Sequence, residues 1–175
     1  HPEGPRDSLE GLSVSHGRVI TCRCLRTETW KSKRLHAQAD AENSPYLRSV
    51  ARDAMKKRYV AEGVSLDDGK RLWRCPLDGN MYCSPTIAGD AAFFACEERL
   101  QAVRATDGAM MWKRELPVRK TVSTPNVVAR GVLTVASEAY AHSLTGYTFG
   151  FDMGTGEERW RIQHAHAYGT ARMLA

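Results

Sequence analysis

Cysteine and histidine are the residue types in this 175-residue chain that could bind a metal or carry redox chemistry. Cys22-x-Cys24 lacks a second cysteine pair at the spacing of a zinc ribbon. His164-x-His166 would place two imidazoles on one side of an extended segment, but the sequence offers no identifiable third ligand. We therefore interpret both pairs as structural or surface residues, and we assign no catalytic, cofactor-binding or metal-binding residue to the chain.

The cysteine count leaves the redox state of the thiols open. The chain has five cysteines: Cys22, Cys24, Cys75, Cys83 and Cys96. An odd number leaves at least one thiol without a partner inside the chain, and a disulfide among the others stays open if the compartment is oxidising.

Three of the four tryptophans recur in one gapless frame, which indicates the elements that position them. The frame is a short apolar run, a turn that ends in glycine, and a second run with Trp four residues after that glycine. Its copies span residues 61–73, 100–112 and 148–160. Glycine allows the positive φ of a tight turn, and the flanking runs are typical of the two strands of a hairpin.

The repeat continues beyond the hairpin. Ser84-Pro85 and Thr124-Pro125 each lead into a strand, a glycine turn and a second strand before the frame begins again. Each repeat therefore holds four short strands, which is the size and content of one propeller blade. Alignment of Gly17 with Gly89 also places Cys24 and Cys96 at the same position of successive repeats.

The frame resembles the pyrroloquinoline-quinone-like (PQQ-like) β-propeller repeat, whose hairpin typically reads Leu-Tyr-Ala-Leu-Asp-x-x-Thr-Gly-x-x-x-Trp, the tryptophan docking motif. In the third copy Asp152, Thr155, Gly156 and Trp160 stand at the family positions. The other copies keep the glycine and the tryptophan: Gly69 with Trp73, and Gly108 with Trp112. They depart from the motif elsewhere, with Ser65 and Arg104 at the Asp position and Asp68 and Asp107 at the Thr position. The resemblance implies that the tryptophans pack between adjacent blades and are structural.

The fold predicted from these repeats is all-β, with four-stranded antiparallel blades. We place the first blade at about residues 9–77, the second at about 83–116, the third at about 122–163 and the start of another at 168–175. A propeller closes with roughly four to eight blades. The chain is therefore interpreted as an internal fragment, of about three blades, of a longer propeller of bacterial type.

The first blade carries an insertion at residues 25–57. Ser44 as N-cap, Pro45 at the first helical position and an apolar periodicity through Lys57 predict a short amphipathic helix with its apolar side on the propeller. Trp30 is predicted to be a loop anchor. The third blade has a smaller insertion at the same connection, residues 138–145, and insertions on one rim often build the binding surface of a repeat protein.

The first insertion also carries the positive charge. Residues 23–60 hold ten Lys or Arg against four Asp or Glu, a net charge of +6, while the remainder has 15 basic and 16 acidic residues, a net charge of −1. This basic segment could meet an anionic lipid surface, an acidic protein or a nucleic acid, or it could be a solvated surface helix. No stacking array of aromatic residues accompanies it, which makes a nucleic acid the least favoured partner.

The resemblance implies three classes of function. The first is a non-catalytic propeller that binds or scaffolds proteins, without a cofactor in this segment. The alternative is a fragment of a PQQ-dependent quinoprotein dehydrogenase, oxidising alcohols or sugars with the quinone and calcium at residues outside this segment. The third is a sensor domain attached to another module. The family resemblance also implies a periplasmic or extracytoplasmic location, and the sequence has no apolar run long enough to span a membrane.

Overall fold

The computed structural model describes residues 8–15, 17–81, 84–96, 99–116, 127–137 and 145–165. Within these ranges the chain forms three four-stranded sheets and two helices. The first sheet, blade one, contains β1 (Ser8–Ser15), β2 (Arg18–Thr27), β3 (Lys56–Ser65) and β4 (Arg71–Leu77). Helices α1 (Trp30–Ala41) and α2 (Pro45–Asp53) lie between β2 and β3.

The second and third sheets repeat the first without the helices. Blade two contains β5 (Thr86–Ala88), β6 (Ala91–Cys96), β7 (Arg99–Arg104) and β8 (Met110–Glu115). Blade three contains β9 (Val127–Ala129), β10 (Val132–Ser137), β11 (Thr145–Asp152) and β12 (Glu158–Ala165). In each sheet consecutive strands pair in antiparallel fashion. The predicted all-β propeller architecture is confirmed.

The docking frame has the same register in all blades. A small residue lies directly opposite each tryptophan: Gly63 opposite Trp73, Ala102 opposite Trp112 and Gly150 opposite Trp160. A Cβ atom added at Gly63 would lie 2.3 Å from Nε1 of Trp73. The indole ring therefore lies over the residue opposite it in its own sheet, which is Gly or Ala in every copy. A β-bulge follows this residue in each copy.

Two apolar clusters lie between the blades. The first joins Ile20 and Ala61 of blade one to Phe94 of blade two. The second joins Phe93 of blade two to Phe149 of blade three. Blade two is therefore covered on both faces by its neighbours, and burial of these faces against each other is the main source of stability in a stacked repeat.

The insertion differs from the prediction. It contains two helices instead of one, because α1 precedes the predicted helix, and α2 ends at Asp53 instead of continuing to Lys57. Strands β2 and β3 also extend into the predicted insertion, which leaves residues 28–55 between them. Helix α1 has no apolar periodicity in the sequence, because the residues it buries are Ser32 and Ala39.

The two helices form a helical hairpin, α1 and α2 with the joining residues 42–44. As predicted, Ser44 is the N-cap of α2, and its hydroxyl accepts a hydrogen bond from Leu47 N at 3.3 Å. The helices pack against each other, so the expectation that the apolar side of α2 lies on the propeller is wrong. At the base of the hairpin Thr29 caps α1, and its hydroxyl donates to the carbonyl of Ala54 at 2.9 Å.

The prediction that Cys24 and Cys96 share a repeat position is also wrong. The hairpin registers equate Gly17 with Asp90, one residue beyond the glycine used for the alignment. Cys96 therefore corresponds to Arg23, on the opposite face of the sheet from Cys24.

Candidate docking surfaces

The tryptophans join each blade to the next one in the chain. Trp73 of blade one donates its indole N–H to the carbonyl of Ala105 in blade two, at 3.0 Å. Trp112 of blade two donates to the carbonyl of Met153 in blade three, at 2.9 Å. Both acceptors occupy the same frame position, three residues before the turn glycine. The buried indole thus satisfies its one donor on the neighbouring blade.

The turn glycines make room for these indoles. Gly108 has a φ of +73°, and an added Cβ would lie 2.5 Å from Cε3 of Trp73. Gly156 has a φ of +70°, and its Cβ would lie 2.6 Å from the ring of Trp112. The glycine is therefore required twice, for the left-handed backbone and for the close approach of a tryptophan from the preceding blade.

The two ends of the array present unmatched halves of this contact. Trp160 is 38% exposed, whereas Trp73 and Trp112 are 8% and 6% exposed. At the other end no described atom lies within 4 Å of a Cβ built at Gly69, whose φ is +68°. Among the repeat residues identified in the sequence, Trp73 therefore lies against Gly108, and Trp112 lies against Gly156.

Different side chains stabilise the first and the third turn. In the third copy a carboxylate oxygen of Asp152 accepts from Gly154 N at 2.9 Å and Thr155 N at 2.8 Å. These hydrogen bonds, with the one from Arg159, hold the pKa of Asp152 below its usual value. In the first copy the Ser65 hydroxyl accepts from Asp67 N at 3.2 Å instead. A hydroxyl and a carboxylate can both accept turn N–H groups, so the frame tolerates this change.

The cysteines and histidines do not form a metal centre in the described part of the chain. No group of three or more His, Cys, Asp or Glu side chains there could hold a metal ion. The four described cysteines are all buried: Cys22, Cys24, Cys75 and Cys96. Burial raises the pKa of Cys75, which disfavours the reactive thiolate. His164 Nε2 lies 2.8 Å from the hydroxyl of Thr148.

Several predicted features fall outside the described residues. They are Cys83, Thr124-Pro125, residues 138–144 of the smaller insertion, His166 and the start of another blade at residues 168–175. None of the helices in the described ranges has the length and apolar character needed to cross a bilayer.

The helical hairpin exposes two aromatic side chains. Trp30, at the start of α1, is 76% exposed, and Tyr46, at the start of α2, is 75% exposed. The expectation that Trp30 anchors the loop is therefore wrong. Exposed cations accompany these rings on the hairpin and at its base: Lys31, Lys33, Arg34, Arg48, Arg52, Lys56, Lys57 and Arg58.

A two-stranded ribbon connects the hairpin to blade one. Strands β2 and β3 continue as a pair beyond β1 and β4, and Arg26 lies directly opposite Lys57 on this ribbon. Like charges on directly opposed residues destabilise a sheet pair. The basic character of the helical hairpin therefore continues along this ribbon to the edge of blade one.

A second charged feature lies on the face of blade one that points away from blade two. Here the carboxylate of Glu62 accepts from three guanidinium groups, and we call these four residues the arginine cluster. Arg74 Nε lies 2.7 Å from Glu62 Oε1, Arg71 Nη1 lies 3.4 Å from the same oxygen, and Arg23 Nη1 lies 3.3 Å from Oε2. Glu62 is 3% exposed, whereas the arginines are partly exposed.

The arginine cluster predicts a specific acid sensitivity. Burial raises the pKa of Glu62, but hydrogen bonds and charges from Arg74 and Arg23 outweigh it, so the pKa lies below its usual value. The ionised carboxylate therefore contributes stability above the unfolded-state pKa of about 4.3, and this contribution is lost as the pH falls through the folded-state pKa. We expect Glu62→Gln to destabilise the chain at pH 7 and to have a smaller effect at pH 3. Urea unfolding at both pH values measures this, with the exposed Glu157→Gln as control, and an equal loss at both would contradict it.

Comparison with known protein families shows which family the chain belongs to. A family model described as outer membrane protein assembly factor BamB matches residues 28–174, which is most of the chain. The chain belongs to this family. The match includes all three copies of the docking frame, and it confirms the resemblance to PQQ-like repeats. No curated protein sequence matches the chain.

Solved structures share the fold of this family member. BamB from Moraxella catarrhalis is 24% identical with a TM-score of 0.52, over 66% of this chain and 33% of that one. A europium-containing methanol dehydrogenase is 12% identical with a TM-score of 0.59, over 89% and 25%. The quinohemoprotein alcohol dehydrogenase from Comamonas testosteroni is 18% identical with a TM-score of 0.52, over 59% and 18%. The chain thus spans about a third or less of each, and the likeness is one of fold.

Sequence reasoning did not find the arginine cluster or helix α1. A single signal for the cluster exists, since Glu62 interrupts an apolar run between Ala61 and Gly63. Its partners lie 39 residues before it and 9 and 12 residues after it. They become recognisable only when the strand register is known.

Proposed function

We propose that the chain is part of a non-catalytic PQQ-like propeller that binds or scaffolds proteins, with the helical hairpin as its docking element. The observation that carries this proposal is the exposure of Trp30 and Tyr46 on an ordered projection surrounded by exposed cations. Tryptophan, tyrosine and arginine are the residue types enriched at the energetic centres of protein interfaces. The family description, an assembly factor for outer membrane proteins, supports a protein partner.

The rigidity of the hairpin supports the same proposal. Its first helix begins with a capping box formed by Thr29 and Ser32. The joint between the helices is closed by a backbone hydrogen bond from Ser44 N to Ala39 O at 2.9 Å. A preorganised projection loses little conformational entropy on binding, so more of the contact energy is available for affinity.

The proposal includes no quinone and no calcium in residues 1–175, and it places the protein in the periplasm or another extracytoplasmic space. The quinone is a tricarboxylate, and its binding requires cations and calcium ligands that converge at one place. In the part of the chain that the structure describes, groups of cations lie instead on the helical hairpin and on one face of blade one.

Site-specific photo-crosslinking in the full-length protein tests the proposal. A photoreactive residue at position 30 or 46 should crosslink to a protein partner, and the same residue at exposed Leu66, in the turn of blade one, should not. Against the partner so identified, Trp30→Ala should lower affinity by about tenfold or more, because such aromatic residues contribute about 2 kcal/mol at interface centres. Leu66→Ala is the matched control.

Two results would overturn the proposal. One is equal crosslinking from positions 30, 46 and 66. The other is stoichiometric binding of the quinone with calcium that is abolished by substitutions within residues 1–175, which would favour the dehydrogenase alternative.

A further inference from the structure

The two exposed aromatic side chains lie at opposite ends of the helical hairpin. Thr29, which caps α1, is hydrogen-bonded to the carbonyl of Ala54 just after α2, so Trp30 lies at the end that is attached to blade one. Tyr46 follows the joint between the helices and lies at the far end. Helix α1 has 12 residues, and at about 1.5 Å per residue it separates the attached end from the far end by about 16 Å.

The positive charge of the helical hairpin is concentrated at the attached end. Residues 26–34 and 53–58 hold seven Lys or Arg against two Asp or Glu, a net charge of +5. Residues 35–52 hold two of each, a net charge of zero. We call the seven basic residues the basal cations: Arg26, Lys31, Lys33, Arg34, Lys56, Lys57 and Arg58. An anionic partner is therefore attracted to the end that carries Trp30 and not to the end that carries Tyr46.

The basal cations have no acidic partner in the described part of the chain. None of the ion pairs there includes any of them, whereas Arg48 of the far end is paired with Asp40 at 3.4 Å. The Nε atom of Arg26 is buried and has no hydrogen-bond acceptor among the described residues. Buried donors are normally paired, so an acceptor from a partner is favoured at this guanidinium.

The indole of Trp30 belongs to the same charged end. Ser32 and Ala39 mark the buried face of α1, and the helical period places Trp30 on the opposite side of the helix. Lys33 and Arg34, three and four residues after Trp30, are its neighbours along the helix, and all three side chains are exposed. An apolar side chain of a partner can therefore pack on the indole while a carboxylate beside it reaches these cations.

The other basal cations favour a flexible segment over a flat surface. Side chains alternate between the two faces of the ribbon, so Lys57 shares one face with Arg26, while Lys56 and Arg58 lie on the other. Lys56, Lys57 and Arg58 are all exposed, so both faces are open to solvent. A bilayer can contact only one of these faces at a time, whereas an extended acidic chain can pass around the ribbon.

We propose that the attached end of the helical hairpin binds an acidic, extended segment of the partner protein, with an apolar residue of that segment on Trp30 and its carboxylates on the basal cations. The inference rests on the proposed function, because it names the chemistry of that partner and the part of the hairpin that it contacts. Tyr46 and the far end lie outside this contact.

A peptide with this chemistry tests the inference before the partner is known. The probe is a fluorescein-labelled peptide of ten glutamates around a central Leu-Phe pair, and the control peptide has glutamine in place of every glutamate. Fluorescence anisotropy is measured with the 175-residue chain at pH 7 and about 0.1 M salt, where charges more than about 10 Å apart are largely screened. The glutamate peptide should bind about tenfold or more tightly than the control, since it forms several exposed ion pairs.

Charge variants locate the contact. Lys56→Gln combined with Lys57→Gln should weaken binding of the glutamate peptide by about fivefold or more, and the same positions changed to Arg should retain it. The matched control combines Arg48→Gln with Arg52→Gln, which removes two cations further from Trp30. The Arg52 side chain points towards the far end, since its Nε donates to the carbonyl of Arg48 at 3.4 Å. This control should change the affinity by less than about twofold.

Aromatic variants test the same location. Trp30→Ala should weaken binding of the glutamate peptide by about fivefold or more, the effect expected of an aromatic residue within the contact. Tyr46→Ala removes an equally exposed ring from the far end and should leave the affinity unchanged. Circular dichroism confirms that each variant is folded.

Equal affinity for the two peptides, or equal losses from the Lys56 and Lys57 pair and the Arg48 and Arg52 pair, would overturn the inference. Stronger binding of phosphatidylcholine vesicles with about 30% phosphatidylserine, or of an oligothymidylate, than of the glutamate peptide would overturn it too. If photo-crosslinking still captured a protein at position 30 or 46 in that case, the proposed function would stand and only this inference would be wrong.

Discussion

Trp112→Ala is expected to lower the free energy of unfolding by about 3–5 kcal/mol, the range for truncation of a large buried aromatic side chain. Trp112 is 6% exposed, packs at 5.8 Å from Phe93 between ring centroids, and donates to Met153 O across the blade boundary. Its loss would leave a cavity in the cluster between blades two and three and an unpaired carbonyl at its edge.

Trp160 provides the matched control for this prediction, because it has the same frame position but is 38% exposed. Trp160→Ala should therefore destabilise the chain by less than about 2 kcal/mol. Urea unfolding followed by circular dichroism measures both variants. Equal losses would show that the buried interface between blades two and three is not what makes Trp112 important.

Gly108→Ala has the second largest expected effect, about 2–5 kcal/mol. The substitution places a Cβ at a φ of +73°, which costs about 1–2 kcal/mol in the left-handed region. It also places that atom 2.5 Å from the ring of Trp73, and relief of such overpacking costs about a further 1–3 kcal/mol.

Gly69→Ala separates the two contributions. Gly69 has a φ of +68°, but no described atom lies within 4 Å of the added Cβ. This variant should lose only the backbone contribution, about 1–2 kcal/mol. If Gly69→Ala were as damaging as Gly108→Ala, the turn conformation alone would explain the glycine, and the contact between blades would not.

The repeat architecture could be predicted from the sequence because its signal has a fixed spacing. Gly and Trp lie four residues apart in all copies, and the strand register that this spacing implies is the observed one. The face of each strand was harder to predict, because both faces of blade two are buried and apolar residues do not alternate in β6. The error in aligning Cys24 with Cys96 came from equating Gly17 with Gly89, and β6 gave no alternation that would have revealed it. In such a run a shift of one residue exchanges the two faces.

The charged surfaces could be predicted only in part. The excess of basic residues in the insertion was visible in the sequence, but the exposure of Trp30 was not, since an isolated tryptophan in a loop gives no periodicity. Glu62 and Arg23 come together because β2 and β3 pair across the whole helical hairpin. A contact that depends on this long-range register has no local sequence signal.

The central claim is that Trp73 and Trp112 dock on the turn glycines of the following blades, and a double-mutant cycle tests it most directly. Unfolding free energies are measured for Trp73→Ala, Gly108→Ala and the double variant, and the cycle is repeated with Gly69 in place of Gly108. Removal of the indole should relieve the overpacking at Gly108, so we predict a coupling of about 1–3 kcal/mol for Trp73 with Gly108 and almost none with Gly69. Additive effects for Trp73 with Gly108, or an equal coupling with Gly69, would contradict the claim.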